Sequence, residues 1–152
     1  MVWQDKDQLF MKQALREAQK AVDIGEVPVG AVIVCQGKII SRGYNKVEVK
    51  QDATMHAELI AIRKAAAKLG TWRLEQCQLY VTLEPCAMCA GAITWSRIET
   101  VLYGADDPKA GAYRSAVKVL GNKKLNHRPE VKRGLLADKS SALLKAFFKE
   151  LR

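Results

Sequence analysis

Val29-Gly30-Ala31-Val32-Ile33-Val34-Cys35, then Gln36-Gly37, then Lys38-Ile39-Ile40-Ser41-Arg42-Gly43-Tyr44, reads as two strands joined by a tight turn. The first run is apolar enough to be buried on both faces of a sheet. Upstream, Asp5 to Ile24 carries Phe10, Ala14, Leu15, Ala18, Ala21 and Val22 at helical spacing, and Gly25 is a natural stop. Downstream, Lys46 to Thr54 is a polar connection, and alanine-rich Met55 to Leu69 predicts a helix closed by Gly70. Cys77 to Leu83 predicts a strand. Pro85 can open the next helix, reaching about Arg97, because its missing N–H costs nothing there. Thr100 to Tyr103 predicts another strand, with a loop from Gly104 to Ala112. The remainder suggests a short helix near Ser115 to Leu120 and an extended Glu130 to Gly134. A closing helix from about Asp138 places Leu144, Phe148 and Leu151 on one face. A hairpin followed by helix–strand alternation implies an α/β fold, a three-layer α/β/α sandwich around a mixed five-stranded sheet with right-handed crossovers. With no internal repeat or linker, residues 1–152 are expected to form one domain.

Composition narrows the class. A 49% hydrophobic and 27% charged chain of 152 residues is ordinary for a globular protein, and the length allows a real core. The first residues lack the cationic start and apolar centre of a signal peptide. No apolar run is long enough for a bilayer, so no membrane role is expected. Four cysteines are then expected in a reducing compartment, by default the cytoplasm, where metal or thiol chemistry is favoured over disulfides. The net charge of +9 is uneven. From Gly104 to Arg152 there are twelve Lys/Arg against five Asp/Glu, so +7 of it lies in the last third. A polyanion-binding surface has that look, as does an ordinary lysine-rich one.

Cys86-Ala87-Met88-Cys89 places two sulfurs on one face of a helix's first turn, near its positive end, where thiolates are favoured. That pair alone fits a metal site or a redox pair equally well. His56-Ala57-Glu58, at another helix start, tips the balance. His56 supplies a third zinc ligand and leaves the fourth tetrahedral position for water, the pattern of a catalytic ion. His127, in a polar loop-like stretch, is the alternative that would close the site. Water at the open position would ionise near pH 7, and Glu58 is the carboxylate placed to handle its proton. A first-turn acid on a helix dipole is the plainer role for that glutamate.

His-x-Glu followed by Pro-Cys-x-x-Cys is the signature of zinc nucleobase deaminases. The chain resembles one family among them, the bacterial tRNA adenosine deaminases, over nearly its whole length. The resemblance rests on residues 27–32 (VPVGAV), Gly43-Tyr44-Asn45, His56-Ala57-Glu58, 80–92 (YVTLEPCAMCAGA) and 134–138 (GLLAD). It implies a cytidine-deaminase-like fold, one Zn2+ per subunit, no organic cofactor and a homodimer. It implies deamination of adenosine to inosine at the wobble position of a tRNA anticodon stem-loop. Hydroxide would attack C6 while Glu58 delivers a proton to N1 and then to the departing ammonia. Asn45 would hydrogen-bond the base, and backbone groups of Ala57, Pro85 and Cys86 would complete the pocket's polar edge. Asp107 would lie near the ribose, where an acceptor reads the 2′-hydroxyl. Phe147 is expected in the core, whereas Phe148 would border the RNA and stack on a splayed base. Asn45 and Asp107 also suit turns, and Cys35 and Cys77 read as small buried hydrophobes. The competing functions are a zinc deaminase for a free base, nucleoside or nucleotide (guanine or deoxycytidylate), a zinc-stabilised RNA-binding module, and a redox protein.

Overall fold

The structure, a computed structural model, describes residues 3–151. Its elements are α1 (Asp5–Asp23), β1 (Gly30–Cys35), β2 (Lys38–Tyr44), α2 (Val47–Lys50), α3 (Ala57–Leu69), β3 (Cys77–Leu83), α4 (Ala87–Trp95), β4 (Thr100–Ala105), β5 (Glu130–Arg133) and α5 (Ala137–Glu150). The strands form one sheet in the order β2-β1-β3-β4-β5. β1 runs antiparallel to both neighbours, and β3, β4 and β5 are parallel, so the sheet is mixed as expected. The turn between β1 and β2 has positive φ at both Gln36 and Gly37, which matches the right-handed twist of a two-residue hairpin.

Strand alternation sorts the core into two layers. Ala31, Ile33, Leu79, Val81, Val101 and Tyr103 face Ala57, Ala61 and Ala65 of α3 and Ala90 and Ile93 of α4. Val32, Val34, Tyr80 and Leu102 face the other way, packing with Met11 and Ala14 of α1 and with Leu135 just before α5. The result is the three-layer α/β/α sandwich. The small residues set its thickness. A Cβ on Gly43 of β2 would run into the Ala57 carbonyl oxygen and lie 3.0 Å from the Ala61 nitrogen, so α3 lies directly against β2. The Ser41 hydroxyl, donating to the Ala61 carbonyl at 2.8 Å, ties the same contact.

Several local expectations are corrected. The polar connection contains the short helix α2. The fourth helix starts at Ala87 with Cys86 as its N-cap. Pro85 stays outside the helix, its carbonyl accepting the Ala112 N–H at 2.8 Å. No helix forms at Ser115 to Leu120; the segment is tied to other parts of the chain instead. The Tyr113, Arg114 and Ser115 N–H groups go to Glu84. Those of Ala116 and Val117 go to the Gly111 carbonyl, and those of Val119 and Leu120 to Ala112. On α5 the expected apolar face is rotated: Leu143, Leu144 and Phe147 are half-buried, whereas Phe148 and Leu151 are exposed. Arg152 lies outside the described residues.

Gly43→Ala is expected to destabilise the fold by about 1–3 kcal/mol, since α3 must move off the sheet to admit the methyl group. Urea unfolding measures this, and an unchanged midpoint contradicts the close contact.

Candidate active site

Four chain segments end at one edge of the sheet: the approach to β1, the exit from β2, and the exits from β3 and β4. Between them lies a cavity of about 310 Å3 lined by Glu26, Val27, Val29, Asn45, Val47, Glu48, His56, Ala57, Glu58, Leu83, Glu84, Cys86, Asp107 and Ala110.

His56 and Cys86 are the N-caps of α3 and α4, both in extended backbone conformation. Cys89 follows one turn into α4 and is fully buried. Two helix N-termini therefore meet, and their partial positive charge favours thiolate sulfur between them. His56 Nδ1 lies 3.6 Å from Cys86 Sγ and 3.4 Å from Cys89 Sγ. All three ligand atoms are within 4.8 Å of one another. Metal–nitrogen and metal–sulfur bonds of zinc length meeting at the tetrahedral angle separate nitrogen from sulfur by about 3.5 Å, so the spacing fits such an ion. Among the described residues no other group of three His, Cys, Asp or Glu side chains converges this way. His127 is elsewhere, with Nε2 2.7 Å from the Ile98 carbonyl oxygen, and does not close the site.

The electrostatics agree with a ligand set. The Cys89 thiol, hydrogen-bonded to Cys86, draws the Cys86 thiol far below its ordinary range, and neighbouring His56 reinforces this. The same bond, with burial, pushes Cys89 upward. Hydrogen bonding to Cys86 also raises His56. Glu58, in the first turn of α3, is only 4% exposed and lines the cavity. Burial pushes its carboxyl up to about 7, where it can both accept and release a proton near neutrality.

The remaining expected residues divide. Asn45 lines the cavity while making a turn: Nδ2 donates to the Val27 carbonyl at 3.2 Å and Oδ1 accepts the Val47 N–H at 3.2 Å. Asp107 lines the opposite wall and its Oδ1 accepts the N–H groups of Lys109 and Ala110. The turn reading and the cavity position therefore coexist at both. Ala57 lines the cavity, but Pro85 and Phe148 do not. Phe148 is 46% exposed on α5, its ring edge-to-face with Phe147 at 5.4 Å.

Two wall residues escaped the sequence reading, Glu26 and Glu84, each 2% exposed. Glu26 accepts the N–H groups of Glu48 (3.2 Å) and Val49 (2.7 Å) and so holds α2 against the cavity. Glu84 accepts four N–H groups and one hydroxyl from residues 107–115. Burial alone would raise its carboxyl, but these donors, Ser115 foremost, hold it below the ordinary range. The only sequence signal was an acid set among apolar residues beside a proline-containing strand end.

Fold and cluster together define a deaminase, and residues 4–152 match the MafB19-like deaminase family. The tRNA-specific adenosine deaminase of Bacillus subtilis is 50% identical over 147 residues, 97% of this chain and 91% of its own. A solved structure from studies of A-to-I editing by tRNA:A34 deaminases at the wobble position is 46% identical. It superposes with a TM-score of 0.87 over 90% of this chain and 99% of that one. The guanine deaminase of Nitrosomonas europaea is more distant, at 25% identity and a TM-score of 0.80 over 92% and 83%. This chain belongs to the tRNA-specific adenosine deaminase family.

His56→Ala and Cys89→Ser are expected to abolish metal binding, and His127→Ala to leave it intact. Metal content of the purified proteins by plasma emission decides; a loss in His127→Ala would put the ion elsewhere.

Proposed function

We propose that this chain, acting as one domain over residues 1–152, hydrolyses adenosine to inosine at the wobble position of a tRNA anticodon. The observation that carries the reading is the His56, Cys86 and Cys89 cluster with buried Glu58 beside it on one cavity. Relatives named tRNA-specific adenosine deaminases, which this chain matches along almost their whole length, support the choice of substrate. The donor set fits one Zn2+, held by His56 Nδ1 and the two sulfurs, with no organic cofactor required. When bound, the ion lowers the pKa of a coordinated water toward neutrality and polarises it.

The chain's residues do the rest. Glu58 takes a proton from the attacking water and delivers it to adenine N1; a second transfer sends a proton to the departing 6-amino group as ammonia. Water supplies the oxygen retained at C6, so atoms balance without a further reactant. Asn45 and the Ala57 backbone orient the base. Asp107 accepts from the ribose, and Val27, Val29 and Leu83 shield the reacting edge from bulk water. The Pro85 carbonyl is engaged by Ala112, and Phe148 is assigned to flanking RNA outside the cavity.

Charge favours RNA over a free base such as guanine. Lys109 adjoins the cavity wall, and Arg114 and Lys118 are exposed on the same loop, placing cations where phosphates would run. No described helix is long and apolar enough to cross a membrane. The cytoplasm, with its tRNA and reduced thiols, is the proposed location.

A homodimer is proposed through α4, which has no charged residue. Met88 and Trp95, seven residues apart on its outer face, are 38% and 71% exposed. A second copy of the chain would cover them, close beside Cys89. Trp95→Glu is expected to yield a monomer by light scattering, and an intact dimer would move the interface elsewhere.

Glu58→Ala is expected to keep fold and metal while losing at least about a hundredfold in rate. The assay is inosine formed in total tRNA, read by mass spectrometry beside free adenosine. Turnover of the nucleoside but not tRNA would reverse the substrate assignment, and near-normal turnover by the variant would remove Glu58 from the chemistry.

A further inference from the structure

Glu84 sits between the cavity residue Leu83 and the Pro85-Cys86 turn that delivers a cluster sulfur. Its side chain leaves that strand end and crosses to the segment after β4. Oε1 accepts the Asp107 N–H at 3.0 Å and the Ser115 hydroxyl. Oε2 accepts three successive N–H groups, from Tyr113 (3.0 Å), Arg114 (3.1 Å) and Ser115 (3.2 Å). Successive N–H groups converging on one oxygen form an anion nest, and here the anion is the protein's own carboxylate. Gly111 makes room for it, since a Cβ there would overlap the Glu84 carboxyl group.

Main-chain bonds index the two segments further. Glu84 N–H donates to the Ala105 carbonyl at 2.9 Å, Ala112 N–H to Pro85, and Cys86 pairs with Gly111 as an isolated antiparallel bridge. Residues 107–115 have no helix or strand of their own. Yet they carry Asp107 and Ala110 of the cavity wall, Lys109 between those two, and the exposed Arg114 further along.

We propose that Glu84 is a positioning residue that locks the 107–115 loop in register with the Cys86 turn, so that the wall receiving the nucleotide's sugar is set at a constant distance from the metal cluster. The proposal rests on the deaminase reading for its kinetic consequence, but not for its structural one. Glu84 touches no reacting atom. It governs how well the nucleotide is held, while Glu58 governs turnover once it is held.

Glu84→Gln keeps the size but replaces one acceptor oxygen with an amide that faces N–H groups. Hydrogen exchange by mass spectrometry on peptides covering residues 106–116 is expected to accelerate, while peptides of α3 and β3 are unchanged. With a synthetic anticodon stem-loop carrying adenosine at the wobble position, KM should rise about tenfold or more and kcat change little, with metal content retained. Ser115→Ala should shift exchange and KM in the same direction by less, and Gly111→Ala should reproduce the full effect by displacing the carboxylate; these two serve if Glu84→Gln does not fold. Slow exchange and unchanged KM in the variants would overturn the proposal, as would a fall in kcat accompanied by metal loss. Failure of the wild-type protein to act on the stem-loop would instead sink the substrate assignment, leaving the exchange result to decide the loop's anchorage.

Discussion

Two helices begin at the same place, and the site exists because they do. α3 starts at His56 and α4 at Cys86, each residue in extended conformation at the helix threshold, with the imidazole and sulfur turned toward each other. The helix ends bring free N–H groups and partial positive charge. Ionised sulfur is stabilised there. Cys89, one turn along α4, completes a triangle of ligand atoms. Moving either helix by an ångström would break a spacing that suits a tetrahedral ion.

That convergence depends on thin packing. Glycine in β2 and alanines at 57, 61 and 65 let α3 lie almost on the sheet. β1 and β3 pair along most of their length, and the approach to β1 therefore opens beside the exit from β3. The cavity is consequently a property of the sheet's edge, walled by whatever leaves each strand. Burial of β1, β3 and β4 on both faces makes their positions stiff, and stiffness at their ends is what a site built from converging side chains requires.

Three buried carboxylates around that edge do different work because their surroundings differ. Glu58 is desolvated with little compensation, and its carboxyl titrates near neutrality. Glu84 is as deeply buried but surrounded by donors, which keep it ionised and make it an anchor. Glu26 holds two N–H groups of α2 on the opposite wall. The same side chain thus suits the proposed proton transfer or a structural anchorage according to the number of N–H groups aimed at it.

The hairpin, the strand–helix alternation and the three residues that cluster were legible in the chain because each is a local pattern: apolar runs of strand length, Gln36-Gly37, and Cys-x-x-Cys and His-x-Glu near helix starts. Side-chain type and short spacing determine those features directly. The segment after β4 was not legible. Ser115 to Leu120 has helical character on its own, but its donors are claimed by Glu84, Gly111 and Ala112, partners up to 31 residues away. Periodicity put Phe148 on the apolar face of α5 with Leu144 and Leu151, whereas the packing of α5 leaves Phe147 half-buried and Phe148 exposed, the order the family resemblance implied. Local pattern alone was enough for the strands, for the helices to within a turn, and for the donor chemistry of His56, Cys86 and Cys89. Which carboxylate is left desolvated and which is wrapped in donors emerges only on folding, because it depends on hydrogen bonds between segments far apart in the chain.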